Sequence, residues 1–414
     1  MRRASPVLLV FLSFFATVSF AQNGGYLLIN NDNVNGNSAD IDIVSSSGGL
    51  TRLNTVSTGG TGLGGGFFAA PRNAVAQKLT CFWVSDAGSS DIASFQIPSL
   101  KKTGNFSNGA LNGALYGIGI AQVGNFLISA WSGSANIAVL KINSDCTLTL
   151  VGAPLNQPDS VADVTALASG TGFVVSYPNA GGAQAYSVSS TGVLKPIGPE
   201  LVFNNAVSSC SATGCFPTAQ DNTSDDTFWV WGNATLSSPS TLTAQLTKRG
   251  FTAAALQSYS TSGLTNIETP WFSPAGRAGN GNLYLGASGF GTGYPAGIVV
   301  ATYNEGTISY ASSAVNSAAF YAGGVQTIGS SGTGTPVTQI WSDSSANNTV
   351  QTYTVSGTTL TPAFSLQTTS TGSFAFSTTA ICHAPDSSPL QGGSSGVSIP
   401  PPGKGGCPGI PQVK

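Results

Sequence analysis

The sequence predicts an all-β fold assembled from copies of one antiparallel motif, and three observations carry that reading. First, an apolar strand phrase recurs seven times, starting at Tyr26, Phe82, Phe126, Phe173, Phe228, Leu283 and Ile340, at intervals of 56, 44, 47, 55, 55 and 57 residues. Such a period, with about four short strands per copy, is that of a propeller blade; β-helix coils repeat at roughly half that length. Second, only 7% of the residues are charged against 41% hydrophobic, with 53 Gly and a single Met. Third, the apolar stretch Ser373–Cys382 follows the seventh copy with no copy after it, while the first copy lacks the apolar stretch that precedes the others. A C-terminal strand completing the N-terminal blade closes a ring and leaves no sheet edge unpaired. The expectation is a seven-bladed β-propeller over residues 22–382.

The elements follow in step. The phrases Tyr26–Asn30, Phe82–Asp86, Phe126–Ala130, Phe173–Tyr177, Phe228–Gly232, Leu283–Ala287 and Ile340–Ser344 read as one strand of each blade. Their partners are Ile41–Val44, Ile92–Ile97, Ile137–Ile142, Ala185–Val188, Leu242–Leu246, Ile298–Tyr303 and Val350–Val355. Turns come next, as at Gly192–Leu194, Gly306–Ile308 and Gly357–Leu360, where hairpin geometry asks for the positive φ that glycine adopts freely. An inner strand precedes each phrase after the first, as Leu115–Ile120 precedes Phe126 and Val161–Leu167 precedes Phe173. The second residue of the phrase is Leu27, Trp83, Leu127, Val174, Trp229, Tyr284 or Trp341, a regular large apolar position that reads as packing between neighbouring blades.

Composition excludes several classes. A formal net charge of −2 with 14 Lys and Arg leaves no basic stripe for nucleic acid. High apolar content at low charge is the reverse of a disordered chain. Met1–Arg3, the apolar run Val7–Phe20 and the small residues Ser19 and Ala21 before Gln22 describe a secretory signal peptide over residues 1–21. That run is shorter than the roughly 18–20 residues of a membrane span, and no later stretch spans as a helix. Arg2 and Arg3 are not followed by the Phe-Leu of twin-arginine signals, and the polar Lys414 is no lipid-anchor tail. The expected mature protein is a secreted, extracellular monomer, periplasmic or at the cell surface in a Gram-negative host. Residues 383–414, rich in Gly and Ser around Pro400–Pro402, read as an extended tail.

The 6 cysteines fit an oxidising compartment. Cys81 begins the second strand of its blade and Cys146 sits in the turn between the third and fourth strands of the next. Alternating strand direction puts both on one face, so they are expected to pair. Cys210 and Cys215 enclose four residues including a Gly, a local bridge, and Cys382 is left for Cys407. No second Cys/His pair stands near Cys210 and Cys215 to complete a zinc site.

The phrases Phe82–Ile97 and Ile128–Ile142 resemble blades of the lactonase-type seven-bladed propellers, the phosphogluconolactonase-like and carboxymuconate-cyclase-like proteins. The resemblance covers about residues 24–382 and is specific for fold. It implies activity built on His, Arg and carboxylates around a central channel, and here the chain departs from it. Its one His, His383, follows the closing strand, and no inner-strand start carries another. Those starts read Phe67–Arg72, Leu115–Gly117, Val161–Asp163, Cys215–Pro217, Glu268–Trp271, Ala319–Tyr321 and Ser373–Ala375.

General-base catalysis would then rest on a carboxylate, with Glu268 and Asp163 as candidates and Arg72 as anion holder; pairing with one another or with backbone amides is the competing reading. A serine triad lacks an oriented His. The glycine run Gly59–Gly66 has no following Lys-Ser/Thr or helix, so it is a linker between blades and not a phosphate loop. The segment Asn31–Asp42 superficially follows a calcium loop, and Asp32, Asp40 and Asp42 are its acidic residues; Asn at the early positions and flanking strands favour an ordinary solvated loop. Trp131, Tyr177 and Trp271 fall at strand ends or in loops and are candidates to stack on a sugar or other flat ligand. Asn105, Asn222, Asn233 and the Asn347–Asn348–Thr349 tripeptide carry glycosylation patterns.

Absence of channel histidines favours a non-catalytic propeller that binds a carbohydrate, a peptide, another small molecule or a surface protein through its loop face. The alternative is a lactonase- or cyclase-like hydrolase using channel carboxylates, and a third reading is a purely structural surface protein. No cofactor is required, calcium being the one considered.

Overall fold

The computed structural model describes residues 23–45, 49–64, 75–78, 80–97, 99–233, 240–258, 267–272, 280–287, 296–316, 322–328, 338–343, 349–369 and 376–383. These residues are nearly all β. The strands β1 (Asn23–Asn30), β2 (Ser38–Ser45) and β3 (Leu50–Ser57) open the chain, and β4 (Val75–Lys78), β5 (Cys81–Asp86), β6 (Asp91–Gln96) and β7 (Lys102–Ser107) make a second sheet. A third holds β8 (Ile118–Val123), β9 (Phe126–Trp131), β10 (Asn136–Ile142), β11 (Leu148–Leu150) and β12 (Leu155–Asn156). A fourth holds β13 (Val164–Ala166), β14 (Gly172–Tyr177), β15 (Gly182–Val188), β16 (Leu194–Pro196) and β17 (Leu201–Val202). Two short helices, α1 (Phe203–Ala206) and α2 (Ser208–Thr213), lead out of it.

Then come β18 (Pro217–Asn222), β19 (Phe228–Asn233), β20 (Ser240–Thr247) and β21 (Gly250–Ser258), followed by β22 (Ile267–Phe272), β23 (Asn280–Ala287), β24 (Ala296–Asn304) and β25 (Thr307–Asn316). These two groups share a single bridge, Asn233 to Ile267. The last sheet is β26 (Ala322–Ile328), β27 (Thr338–Asp343), β28 (Thr349–Ser356) and β29 (Thr359–Gln367). The final strand, β30 (Phe376–His383), runs antiparallel beside β1, Tyr26 opposite Cys382 and Ile29 opposite Thr378.

Every recurring phrase lies on a second strand, namely β1, β5, β9, β14, β19, β23 and β27, and each pairs with the strand expected from the sequence. The inner strands β4, β8, β13, β18, β22, β26 and β30 lie each beside the next, and β30 lies beside β4. Inner and second strands are covered on both faces, which is why β5, β8, β9, β14 and β19 are buried at every residue and read as continuous apolar runs. The outer strand β29 is largely exposed instead, its apolar Leu360 half-buried between exposed threonines.

The cores lie between facing sheets. Leu28 and Ile41 meet Phe82 and Phe95, whose rings stack at 4.7 Å. Across the next interface Trp83 packs with Leu127, Trp131 and Leu140. The second phrase positions Leu27, Trp83, Leu127, Val174, Trp229 and Tyr284 are all fully buried, so they are packing residues; the side chain of Trp341 lies outside the described residues.

Two disulfides are formed, Cys81 to Cys146 and Cys210 to Cys215, both as expected. The first is backed by Trp83, whose Nε1 donates to the Cys146 carbonyl at 2.9 Å. Cys407, the tail and the signal segment lie outside the described residues. Among the described residues no helix is long and apolar enough to cross a membrane.

Candidate functional site

The inner strands start on one face of the molecule, the face that also carries the hairpins between second and third strands. Two aromatic side chains meet there. Tyr116 stands two residues before β8 and Phe216 one residue before β18, and their rings touch edge to face at 6.1 Å. They come from sheets on either side of the β13 sheet and so close over its start. Backbone bonds fix both: Tyr116 N donates to Ser132 Oγ at 2.8 Å, and Phe216 N to Asn233 Oδ1 at 2.9 Å. Both rings are half-buried, and Leu115 beside them is 49% exposed. This is an apolar surface open to solvent.

Polar groups surround it. The Tyr116 hydroxyl donates to Asn179 Oδ1 at 2.8 Å, on the hairpin between β14 and β15. Burial raises the pKa of that phenol, opposed by the bond to Asn179 and reinforced by the Asp159 charge, so it stays a neutral donor. Asp159 Oδ2 accepts from Ala180 N at 2.7 Å. On the far side of the same hairpin Asn204 accepts from Cys215 N at 2.7 Å and reaches the Ala180 carbonyl. Asn204, Asn205, Cys210 and Gly214 line an open cavity of about 530 Å³ there. The Cys210–Cys215 bridge therefore braces one wall of this cavity and leads directly into Phe216.

Carboxylates flank this hairpin too. Glu200 has its pKa raised, first by burial and then by the charge of Asp159. A carboxylate moved toward neutral pH is what a general base needs. Sequence reasoning named neither Asp159 nor Glu200, and it passed over Tyr116 and Phe216. One signal was available for the aromatics: six of the seven inner-strand starts carry one, at Phe67, Tyr116, Phe216, Trp271, Phe320 and Phe374.

Several expected site residues are placed otherwise. Trp131 and Tyr177 stand at strand ends, yet they are 0% and 1% exposed. Trp131 Nε1 donates to Ser129 Oγ, and the Tyr177 hydroxyl donates to Gln157 Oε1. Neither ring offers an open face, because the neighbouring sheet and linker cover it; the stacking role read for them is corrected. Asp163 is fully buried and its Oδ2 accepts from Gln220 N, which ties the β13 start to β18. Asp221 does the same one sheet on, accepting from Phe272 N at 2.8 Å. Asp163 thus takes the competing role, a backbone tie between blades, and not that of a solvent-facing base. Glu268 and Trp271 are placed on β22 by their backbones, with side chains outside the described residues, as is all of Arg72.

In the Asn31–Asp42 segment the tip at residues 34–36 is exposed, while its three acidic residues are buried and engaged by the protein. Asp32 accepts from the amides of Leu63 and Gly64 at 2.8 and 2.9 Å, holding the linker after β3. Gly62 in that linker is a requirement of close approach, since a β-carbon there would stand 2.2 Å from the Asp32 carbonyl carbon. Asp40 and Asp42 both pair with Arg52. Among the described residues no three of His, Cys, Asp or Glu converge on a metal position. Asn222 and Asn233 are buried, so of the glycosylation patterns described only Asn105 is exposed.

No family model matches the sequence, and no curated protein matches it. Solved structures do match in fold. A candidate 6-phosphogluconolactonase from Bacteroides fragilis superposes with a TM-score of 0.65 at 10% identity, over 86% of this chain and 98% of that one. A Lactobacillus plantarum protein gives 0.65 at 13% identity over 86% and 99%. The periplasmic gluconolactonase of Pseudomonas aeruginosa gives 0.58 at 12% identity over 87% and 99%. The fold is that of the lactonase-type propellers.

Proposed function

We propose that the chain is an exported seven-bladed propeller that takes a sugar lactone, or a closely related small polyhydroxy ring, at the mouth formed by Tyr116, Phe216 and Asn179, and opens the lactone by hydrolysis. The observation that carries this is the convergence of exposed aromatic edges, amide groups and a carboxylate of raised pKa on one face of a fold like that of a gluconolactonase. Aromatic edges pack against the C–H faces of a sugar ring, and a few placed polar groups orient its hydroxyls. Glu200 is the first candidate to activate water. Glu268, with Arg72 to hold the departing carboxylate, is the second, and it rests on sequence position alone.

The adjacency of seven inner strands and the pairing of β30 with β1 support seven blades closed by the C-terminal strand. In this reading residues 1–21 direct export, the bridges form in an oxidising compartment, and 383–414 trail as a tail tied back by Cys382 and Cys407. The chain acts as a monomer without a cofactor in the reaction.

One observation favours a second reading, a carrier that binds without turnover: Asp163 is engaged by backbone, and the described mouth holds no histidine. A single assay separates the two. Aldonolactone ring opening is followed in a pH-stat against the spontaneous rate, alongside calorimetric binding of the same lactone. Hydrolysis predicts turnover that falls by about 10²–10⁴ in Glu200→Gln or Glu268→Gln. The carrier predicts binding without turnover, weakened in Tyr116→Ala and Phe216→Ala. Neither binding nor turnover across a panel of aldonolactones overturns both.

A further inference from the structure

The charges of this molecule are sorted by face. Second and third strands are joined by hairpins on the face that carries the mouth, so antiparallel alternation puts the turns between third and outer strands at the opposite end. The exposed cations Lys101, Lys195, Lys248 and Arg249 stand at or next to those turns. Exposed Lys141, near the end of β10 and opposite Phe126, lies at the same end. Lys102 lies along the outer edge of the second sheet with its Nζ against Gly59, and Arg52 is held by Asp40 and Asp42. Together these are the Lys and Arg side chains among the described residues.

The mouth has the other sign. Asp159 and Glu200 flank the β14–β15 hairpin, both half-buried. Asp159 Oδ2 accepts from Ala180 N, and its Oδ1 lies 3.5 Å from Nδ2 of Asn179, the residue that accepts from the Tyr116 hydroxyl. Glu200 Oε1 lies over Gly182, 2.8 Å from where a β-carbon there would stand. The ion pairs among the described residues are those of Arg52, so neither acid has a counter-ion among them. Their field reaches the groups around them. Burial is the first cause that raises the pKa of Tyr116, Tyr177 and Glu200, and the Asp159 charge adds to each rise.

We propose that the mouth selects by charge: it takes an uncharged lactone and rejects the same ring carrying a phosphate or carboxylate, with Asp159 setting the discrimination. This rests on the lactone reading above and adds to it the charge of the ligand. The physical reason is repulsion between like charges, which excludes a wrong ligand without any contact made for the right one. An anionic group about 10 Å from one carboxylate, at an effective dielectric constant of about 20, loses roughly tenfold in affinity. A neutral lactone loses nothing. The same field acts on the product. Hydrolysis adds water at the lactone carbonyl, breaks the ring C–O bond, leaves the ring oxygen as a hydroxyl and releases a proton from the new carboxylic acid. A neutral substrate thereby becomes an anion, which leaves a mouth of its own sign.

The test compares gluconolactone with the same lactone phosphorylated on its primary hydroxyl, using the full chain. Initial rates above the spontaneous reaction and calorimetric binding are read at about 10 mM and about 1 M salt, where charges are screened over about 30 and 3 Å. At low salt the phosphorylated lactone should show a kcat/KM or an affinity roughly tenfold lower or worse. That gap should close severalfold at high salt, and also in Asp159→Asn at low salt. Gluconate should bind more weakly than the lactone by a similar factor. If Asp159→Asn fails to fold, the salt series on the parent protein decides. A gap unchanged by salt, or unchanged in a folded Asp159→Asn, means exclusion by shape and overturns the proposal. A parent protein that uses the phosphorylated lactone as well as the neutral one overturns it too, and leaves the lactone reading standing. Loss of that use in Arg72→Ala would then name the cation responsible. Neither lactone bound nor opened removes the lactone reading itself, and this proposal with it.

Discussion

Arg52 Nη1 lies 2.9 Å from Asp40 Oδ2, and this ion pair on the first sheet is bonded to the segment that leaves the last one. Arg52 Nη2 donates to the Gln367 carbonyl at 3.0 Å, while Thr369 N donates to the same Asp40 carboxylate at 2.8 Å. Asp40 and Asp42 are both fully buried, so the guanidinium neutralises two charges that water does not reach. Residues more than three hundred positions apart are thereby latched beside the β1–β30 pairing.

Removing the cation should therefore open this seam. Arg52→Ala leaves two buried carboxylates without counter-charge, and a loss of about 3–5 kcal/mol is expected in urea unfolding. Adding Asp40→Asn and Asp42→Asn should restore part of it. A loss below about 1 kcal/mol, the value of an exposed pair, would show that the latch does not hold the sheets.

Asp42 gives the pH dependence a sign. Burial, the largest cause, raises its pKa to about 6 in spite of the Arg52 hydrogen bond and charge, with Asp40 adding to the rise. The unfolded value is near 3.9, so between about pH 4 and 6 the folded chain holds a proton that the unfolded chain releases. Stability from this group is full below about pH 4 and is lost as pH rises through 6, by up to about 3 kcal/mol. Unfolding at pH 4, 5, 6 and 7.5 should show Asp42→Asn gaining on the parent as pH rises. A difference between the two that is flat with pH would refute the assignment.

The Cys81–Cys146 bridge closes a separation of 65 residues between neighbouring sheets. Chain entropy alone gives such a loop about 4 kcal/mol. Cys146→Ser should lower stability by that order, and reduction should do the same to the parent protein. The Cys210–Cys215 bridge, with a separation of 5, constrains little of the unfolded chain. Its removal should instead loosen the segment that leads into Phe216, weakening ligand binding more than it lowers the melting temperature.

Asp163 separates structure from chemistry. Asp163→Asn perturbs a buried acceptor, and a loss of about 1–3 kcal/mol in stability is expected. Lactone turnover, measured below the variant's melting transition, should stay within about twofold of the parent, against the 10²–10⁴ lost with a true base. Abolished turnover in a well-folded Asp163→Asn would return that carboxylate to the active site.

The sequence by itself determined the strands. A second-strand phrase recurring every 44 to 57 residues places β1, β5, β9, β14, β19, β23 and β27, because strands covered on both faces must be apolar throughout. It also determined the Cys81–Cys146 pairing, since alternating strand direction fixes which turns share a face. Tertiary structure alone decided exposure at strand ends. Trp131 and Tyr177 end their strands as expected, yet a neighbouring sheet and the linker at Gln157 close over them, and no local pattern encodes what a residue from another repeat will cover. The same holds for charge. Asp32, Asp40 and Asp42 read as one acidic segment, but their partners come from linker amides and from Arg52 on the next strand. Tyr116 and Phe216 are a hundred positions apart and became neighbours only when their sheets closed on either side of the β13 start. Local periodicity specifies which residues must be buried somewhere; the packing of one repeat against the next specifies which polar and aromatic groups remain to meet a ligand.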